Sequence, residues 1–280
     1  MTRGLDLDQL RALHGAGRAV VAAVVYDIAE LEAVALAGEA TGCPVMAQVG
    51  SSAFRQVGRE ALIGAARAVA EQAAVPVGLH LDHSRDLDEV RHCLDAGYSS
   101  VMVDGSTLDL GANAELTSAA VALARPYGAW VEAELGHIAG DEDRSTGARA
   151  GAPTDPAQAA RFVADTGVDA LAVCIGNVHG RTSVPVQLDL GLLERIAAVT
   201  DVPLVLHGAS GVPEETISAA VRLGVAKLNV NADLRAAWLT AVAGHRAGDE
   251  TGDDLPGALV AARRAVTAHL TTLVRRHTAA

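Results

Sequence analysis

Eight short apolar runs, each separated from the next by a stretch with helical patterning, constrain the fold of this chain more than any other feature. The runs are RAVVAAVV (18–25), PVMAQV (44–49), PVGLHL (76–81), SSVMVD (99–104), AWVEAEL (129–135), DALAVCI (169–175), VPLVLH (202–207) and VAKLNVN (225–231). Brief, nearly continuous runs of this kind suit parallel strands that are covered on both faces. Between them, 29–41, 58–74, 86–96, 113–127, 155–166, 190–200 and 213–223 show apolar residues at helical spacing. Thr154-Asp155-Pro156 and Gly211-Val212-Pro213 are helix-start chemistry. Gly97, Gly167 and Gly224 stand where helices would end on a glycine cap. Such regular βα units predict an α/β fold, a TIM (β/α)8 barrel spanning 1–280 as a single domain. A doubly wound sheet is the alternative, but the pattern shows no switch at which strand order would reverse.

Two segments break the rhythm. Residues 136–154, rich in Gly, Asp, Arg and Thr, follow the fifth strand and are long for a βα connection, which predicts an active-site loop. A polar, acidic stretch at 244–256 leads into a last helix over 257–277, which caps the barrel or joins a subunit interface.

Half of the residues are hydrophobic but only 2% are aromatic, so the core must be built from Ala, Val and Leu. The formal charge of −12 argues against a nucleic-acid partner, which requires a basic footprint. It leaves room for a phosphate held locally by a helix N-terminus or a metal. Cys43, Cys93 and Cys174 form no CxxC pair or disulfide framework, which predicts a reducing, cytoplasmic setting, with Cys174 as buried filler. No basic-then-apolar leader is evident, and no run approaches the ~18 apolar residues of a membrane span, so no membrane association is expected.

Barrel chemistry gathers at the C-terminal ends of the strands. His83, His179 and His207 each stand just past one of the apolar runs. Three imidazoles brought to one point are the ligand set of a catalytic zinc that keeps an open position. This pattern reads as a metal enzyme. Asp82 precedes His83, and adjacent residues at a strand end point in different directions, so one can bind metal while the other reaches substrate. Asp104 ends the fourth run, and Glu132 and Glu134 share one face of the fifth, a face better turned into the barrel than left buried against helices. Glu142 lies on the 136–154 loop, from which it could enter the site with substrate bound. The turn His207-Gly208-Ala209-Ser210-Gly211 presents backbone N–H groups ahead of a helix, as barrel phosphate sites do. His80 reads as a core or supporting group, His137 stays open, and the other histidines have no partner in the pattern. Lys227 is the only lysine and shares a strand face with Asn229, so a Schiff-base lysine inside the barrel stays open too.

The stretches LHLDHS (79–84), VMVDGS (101–106), VEAELGHIAGDED (131–143), TDPAQAARFVADTGVDALAV (154–173), HG (179–180), VPLVLHGASGVPEE (202–215) and GVAKLNVNADL (224–234) together resemble the class II, zinc-dependent ketose-bisphosphate aldolases. The resemblance is greatest to the tagatose-/fructose-1,6-bisphosphate branch and runs from about residue 17 to the last helix. It implies Zn2+ bound by His83, His179 and His207, with Glu134 as a further or second-metal ligand. It implies Asp82 as the group that moves a proton at the C4 oxygen of the ketose, and Glu142 as the acid that takes the C3 proton of dihydroxyacetone phosphate. Gly180, Gly208, Ala209, Ser210 and Asn229, Val230, Asn231 and Ala232 would hold the phosphate end of this small-molecule sugar phosphate, with a monovalent cation nearby. A homodimer or homotetramer is also implied.

The chain departs from the family pattern at the mouth of the site. Ala23, Val24, Val25, Tyr26 and Asp27 stand where a Phe-Asn-x-x-Asn pattern is usual, Val49 where Thr or Ser is usual, and Ala232 where Thr is usual. Arg181-Thr182 replaces an apolar-Tyr pair after His179-Gly180. The expectation is retained aldol chemistry, either on fructose or tagatose 1,6-bisphosphate or, in specialised metabolism, on a different donor or acceptor. A zinc hydrolase and a non-catalytic sugar-phosphate-binding barrel are the competing readings.

Overall fold

The computed structural model describes residues 4–182, 186–249 and 251–279. Helix α1 (Leu7–Gly15) comes first, capped by Asp6. Then strands β1 (Val20–Val24), β2 (Val45–Gly50), β3 (Val77–Ser84), β4 (Ser100–Val103), β5 (Trp130–Leu135), β6 (Ala170–Val173), β7 (Leu204–Leu206) and β8 (Val225–Val230) follow. They pair in sequence order, all parallel, and β8 returns to β1, closing the barrel. Helix α2 (Ile28–Thr41) follows β1, and α3 (Ser51–Val57) and α4 (Arg59–Gln72) follow β2. The next strands are followed in turn by α5 (Leu87–Asp95), α6 (Leu110–Ala124), α7 (Pro156–Thr166), α8 (Leu190–Ala197), α9 (Glu214–Arg222) and α10 (Ala232–Gly248). Helix α11 (Leu255–His277) ends the chain against α2, α10 and β1.

Local chemistry explains these boundaries. Asp27, Asp86, Asp109, Asp155 and Asp189 each accept a backbone N–H in the first turn of the helix they open, so part of the acidic excess serves as caps. Gly167 takes the left-handed conformation that stops α7.

Strand alternation sorts the barrel side chains into two sets. Val21, Ala23, Ala47, Val49, Leu79, Leu81 and Val103 turn outward into the layer shared with the helices. Val20, Ala22, Met46, Met102, Trp130, Ala170, Ala172, Val205 and Ala226 turn inward and fill the lower interior, where Leu5 and Leu10 plug its N-terminal end. Trp130 Nε1 donates to the Leu5 carbonyl at 3.2 Å and fixes that plug. One layer higher the inward positions are polar and buried, with Gln48, His80, Asp82, Glu132, Glu134, Lys227 and Asn229. Such a layer is costly unless its groups are paired, so it marks the end of the barrel where chemistry is expected.

All eight strands fall where the sequence places them. Helices α1, α3 and α10 are additions to the sequence reading. The seven residues of α3 are too few for a helical period to stand out, and α10 continues through Gly244, where a polar stretch was expected. The last helix begins at Leu255 rather than 257. No helix among the described residues is long and apolar enough to cross a membrane.

Candidate active site

A break in β3 builds the first part of the site. Pairing with β4 slips between Leu81 and Ser84, so Asp82 and His83 together oppose Met102. His83 has φ 47°, the only positive value at a non-glycine among the described residues. This bulge cancels the alternation that would send two adjacent side chains to opposite faces. Asp82 and His83 therefore both reach the barrel mouth, one correction to the directions that simple alternation predicts.

His179 and His207, from the segments after β6 and β7, meet His83 there. His83 Nε2 stands 3.0 Å from His207 Nδ1, and His179 Nε2 stands 3.3 Å from the same atom. Two imidazole nitrogens on one tetrahedral ion, each at about 2.0–2.1 Å, are roughly 3.3 Å apart. The spacing thus fits a metal. Each of two rings is oriented through its other nitrogen. His83 Nδ1 faces Asp104 Oδ2 at 3.2 Å, and His207 Nε2 faces Glu132 Oε1 at 2.7 Å. Carboxylates behind metal-binding histidines fix the ring and its tautomer. Burial holds His207 low, at about 4, so the ring stays neutral as a ligand must.

Glu142 completes the group. Its Oε1 lies 2.9 Å from His179 Nε2 and 3.9 Å from His83 Nε2. His83, Glu142, His179 and His207 offer ligand atoms all within 4.8 Å of one another. Burial raises a carboxyl, but the charge and hydrogen bond of His179 hold that of Glu142 well below its ordinary range. The 136–154 loop that bears it is pinned at both ends. His137 N donates to the Ala152 carbonyl at 2.9 Å, Thr154 Oγ1 donates to the Leu135 carbonyl at 2.5 Å, and His179 N donates to the Ala139 carbonyl at 2.8 Å. Gly140 (φ +112°) is required at this last contact, because a Cβ there would lie 2.4 Å from the His179 carbonyl oxygen.

Asp82 is buried, and its Oδ1 has no hydrogen-bond partner. Burial pushes its carboxyl up to about 6, against the pull of His83. An acid titrating near neutrality can both give and take a proton. Glu134 stands beside the three-histidine group rather than in it. It forms a second potential metal set with His83 and Asp104, within 4.8 Å, and its Oε2 is buried and unpartnered.

Three segments expected at a phosphate end converge on Asp233. Its carboxylate accepts from Arg181 Nη2 at 2.7 Å and from Gly211 N at 3.2 Å, and its own N–H faces Ser210 Oγ at 3.3 Å. Gly180, Gly208, Ala209, Ser210 and Ala232 lie in or beside this turn. The other expected residues are placed differently. Asn229 lies beneath His207, its Nδ2 at 3.1 Å from His207 Nε2. Val230 packs into the helix layer, leaving only its backbone for a ligand. Asn231 spends its amide on Glu142, donating to Oε2 at 2.9 Å and to the backbone carbonyl at 2.8 Å. Val49 also turns outward, so that its side chain is not part of the mouth.

Lys227 does point inward. Its Nζ donates to Glu132 Oε2 at 2.8 Å and to Asn229 Oδ1 at 2.9 Å. Strand parity left this placement open, and the partner across the barrel was not readable. Above these groups a cleft of about 650 Å³ opens past His83, His179 and Glu142 toward Arg55, Arg85 and Ser106.

The model of the family described as fructose-bisphosphate aldolase class-II matches residues 7–279. The chain is 31% identical to the YdjI aldolase from Escherichia coli K12, over 97% of this chain and 96% of that one, with a TM-score of 0.86. It is equally, 31%, identical to a putative fructose-1,6-biphosphate aldolase from Coccidioides immitis, covering 99% and 96% of the two chains, with a TM-score of 0.87. The fold is shared with a fructose-bisphosphate aldolase from Campylobacter jejuni at 20% identity, 97% and 95% coverage and a TM-score of 0.80.

Proposed function

Because the chain belongs to the class II fructose-bisphosphate aldolase family, a family of aldehyde-lyases, we propose that it cleaves a ketose phosphate, with Zn2+ as its metal. The reference reaction is the reversible cleavage of fructose or tagatose 1,6-bisphosphate to dihydroxyacetone phosphate and an aldehyde. The observation behind this reading is the convergence of His83, His179 and His207 with the carboxylate of Glu142 at the C-terminal mouth of the barrel.

His83, His179 and His207 would hold the metal, and Glu134 with Asp104 would hold a second ion or support the first. Bound there, zinc supplies a Lewis acid that polarises the ketone and stabilises the charge left when the C3–C4 bond breaks. The protein's own groups handle the protons. Asp82, buried with a free Oδ1, takes the proton from the C4 hydroxyl in cleavage and returns it in synthesis. Glu142 takes the C3 proton of dihydroxyacetone phosphate in synthesis and returns it in cleavage. The backbone around Gly180, Gly208, Ala209 and Ser210 and the start of α10 at Ala232 receive the phosphate, with a monovalent cation beside it. Glu132 and Lys227 hold His207 in place from below.

We further propose a cytoplasmic homodimer or homotetramer, supported by exposed Leu239 on α10 and exposed Leu255, Leu259 and Val260 on α11. Light scattering on the purified protein measures the state of assembly directly.

The decisive experiment is NMR of dihydroxyacetone phosphate in D2O with zinc-loaded protein beside a chelated control. Zinc-dependent deuterium uptake at one prochiral position supports the reading without requiring the right aldehyde. No uptake with zinc bound overturns it for this donor.

A further inference from the structure

Residues 142 and 143 of the loop after β5 reach across the barrel mouth to groups supplied by β1, α3, β8 and α10. Tyr26, just past β1, is the centre of that contact. Its hydroxyl donates to Asp143 Oδ1 at 2.8 Å and accepts from Asn231 Nδ2 at 2.9 Å. Arg235 Nη1 approaches the same hydroxyl at 3.5 Å and donates to the Glu142 backbone carbonyl. Ser52 Oγ on α3 gives Asp143 Oδ1 a second donor at 3.2 Å. The tyrosine is itself fixed from behind, where its backbone N–H donates to Glu30 Oε2 at 2.6 Å.

These bonds define one body. Asn231 Nδ2 touches Tyr26, the Glu142 carbonyl and Glu142 Oε2 together, so the tyrosine and the carboxylate share a donor. The opposite end of the segment is tied to His179 through Gly140. A carboxylate on an otherwise irregular loop is thereby held at two points, across the mouth from the strand that launches it. Loops of this length are ordinarily mobile, and an acid that must meet one C–H bond gains from being held in place.

We propose that Tyr26 is a positioning residue for proton transfer by Glu142. It acts by clamping Asp143, and with it the loop, to the β1 and β8 side of the barrel. This inference rests on the reading of Glu142 as the group that moves the C3 proton. It also gives a task to a side chain in the strand-one segment that departs from the family pattern.

The test uses zinc-loaded protein and three variants, Tyr26→Phe, Asp143→Ala and the double variant. Limited trypsin digestion reads the clamp without catalysis, because Arg144 and Arg149 are exposed on the loop. When opening is fast, cleavage follows the open population. Loss of a hydrogen bond to a carboxylate is expected to speed cleavage within 136–154 by about ten-fold in Tyr26→Phe, with sites elsewhere unchanged. Deuterium exchange into dihydroxyacetone phosphate should slow by a similar factor in kcat, with KM within about two-fold of the parent. Asp143→Ala, which also loses the Ser52 bond, should show both effects at least as strongly, and the double variant should add little to Asp143→Ala, in which the Tyr26–Asp143 bond is already gone. Unchanged loop cleavage in both single variants overturns the clamp. A raised KM with unchanged cleavage in Tyr26→Phe overturns it as well, by making Tyr26 a substrate contact. Failure of the parent to exchange would instead remove the assignment of Glu142, and the digestion would still decide whether the clamp exists.

Discussion

Lys227 Nζ and Glu132 Oε2 meet 2.8 Å apart inside the barrel, with neither side chain exposed to solvent. Glu132 bridges this lysine to His207, whose Nε2 lies 2.7 Å from its other oxygen. Burial alone would raise the Glu132 carboxyl, but the lysine charge and the histidine bond hold it well below its ordinary range. The ion pair is thus the foundation beneath one side of the three-histidine site.

Breaking that pair from either side leaves an uncompensated buried charge. Lys227→Met should cost about 3–5 kcal/mol of unfolding free energy, read by urea denaturation. The lysine is committed to Glu132 and Asn229, so borohydride with dihydroxyacetone phosphate should not inactivate the parent protein. Inactivation with a covalent adduct on Lys227 would replace the metal reading with Schiff-base chemistry.

Glu132→Gln retains shape but removes the carboxylate that orients His207. Metal affinity should fall about 10–100-fold, measured by competition with a chelating dye. An unchanged affinity would mean that His207 is not a ligand or needs no orienting partner.

Glu142→Gln separates proton transfer from metal binding. The variant should keep its metal while exchange into dihydroxyacetone phosphate falls by about 10²–10⁴, the range for loss of a positioned acid-base group. Exchange at the parental rate would move the base elsewhere, with Asp82 the nearest candidate.

How much of this was legible beforehand follows from the range of each signal. The eight strands and the strand-end histidines were readable because apolar runs and their ends are local features. Asp104 behind His83, Glu132 behind His207 and Tyr26 beside Asp143 were not, since each pairing joins distant strands through barrel closure. The bulge at His83 was also hidden. A left-handed histidine has no sequence mark comparable to a glycine, and only the slipped β3–β4 register reveals it. Lys227 and Asn229 show the intermediate case, in which parity gave their shared face but not the groups each would meet, Glu132 and His207.

Glu30 links stability to pH at the back of the Tyr26 clamp. It is buried on α2, where its Oε2 accepts from the Tyr26 backbone N–H and its own backbone N–H donates to Asp27 Oδ1. Burial pushes its carboxyl from the ordinary 4.5 up to about 7, against the pull of the Tyr26 bond. Between those values the native state binds more proton than the unfolded chain, so this group makes stability fall as pH rises from 4.5 toward 7. The difference corresponds to on the order of 3 kcal/mol. Glu30→Gln keeps an oxygen for the Tyr26 N–H and removes the titration. It should match the parent near pH 5, exceed it at pH 8 by up to that amount, and flatten the slope between them in urea denaturation series. A parent whose stability does not decline relative to the variant over this interval would show that Glu30 keeps an ordinary carboxyl.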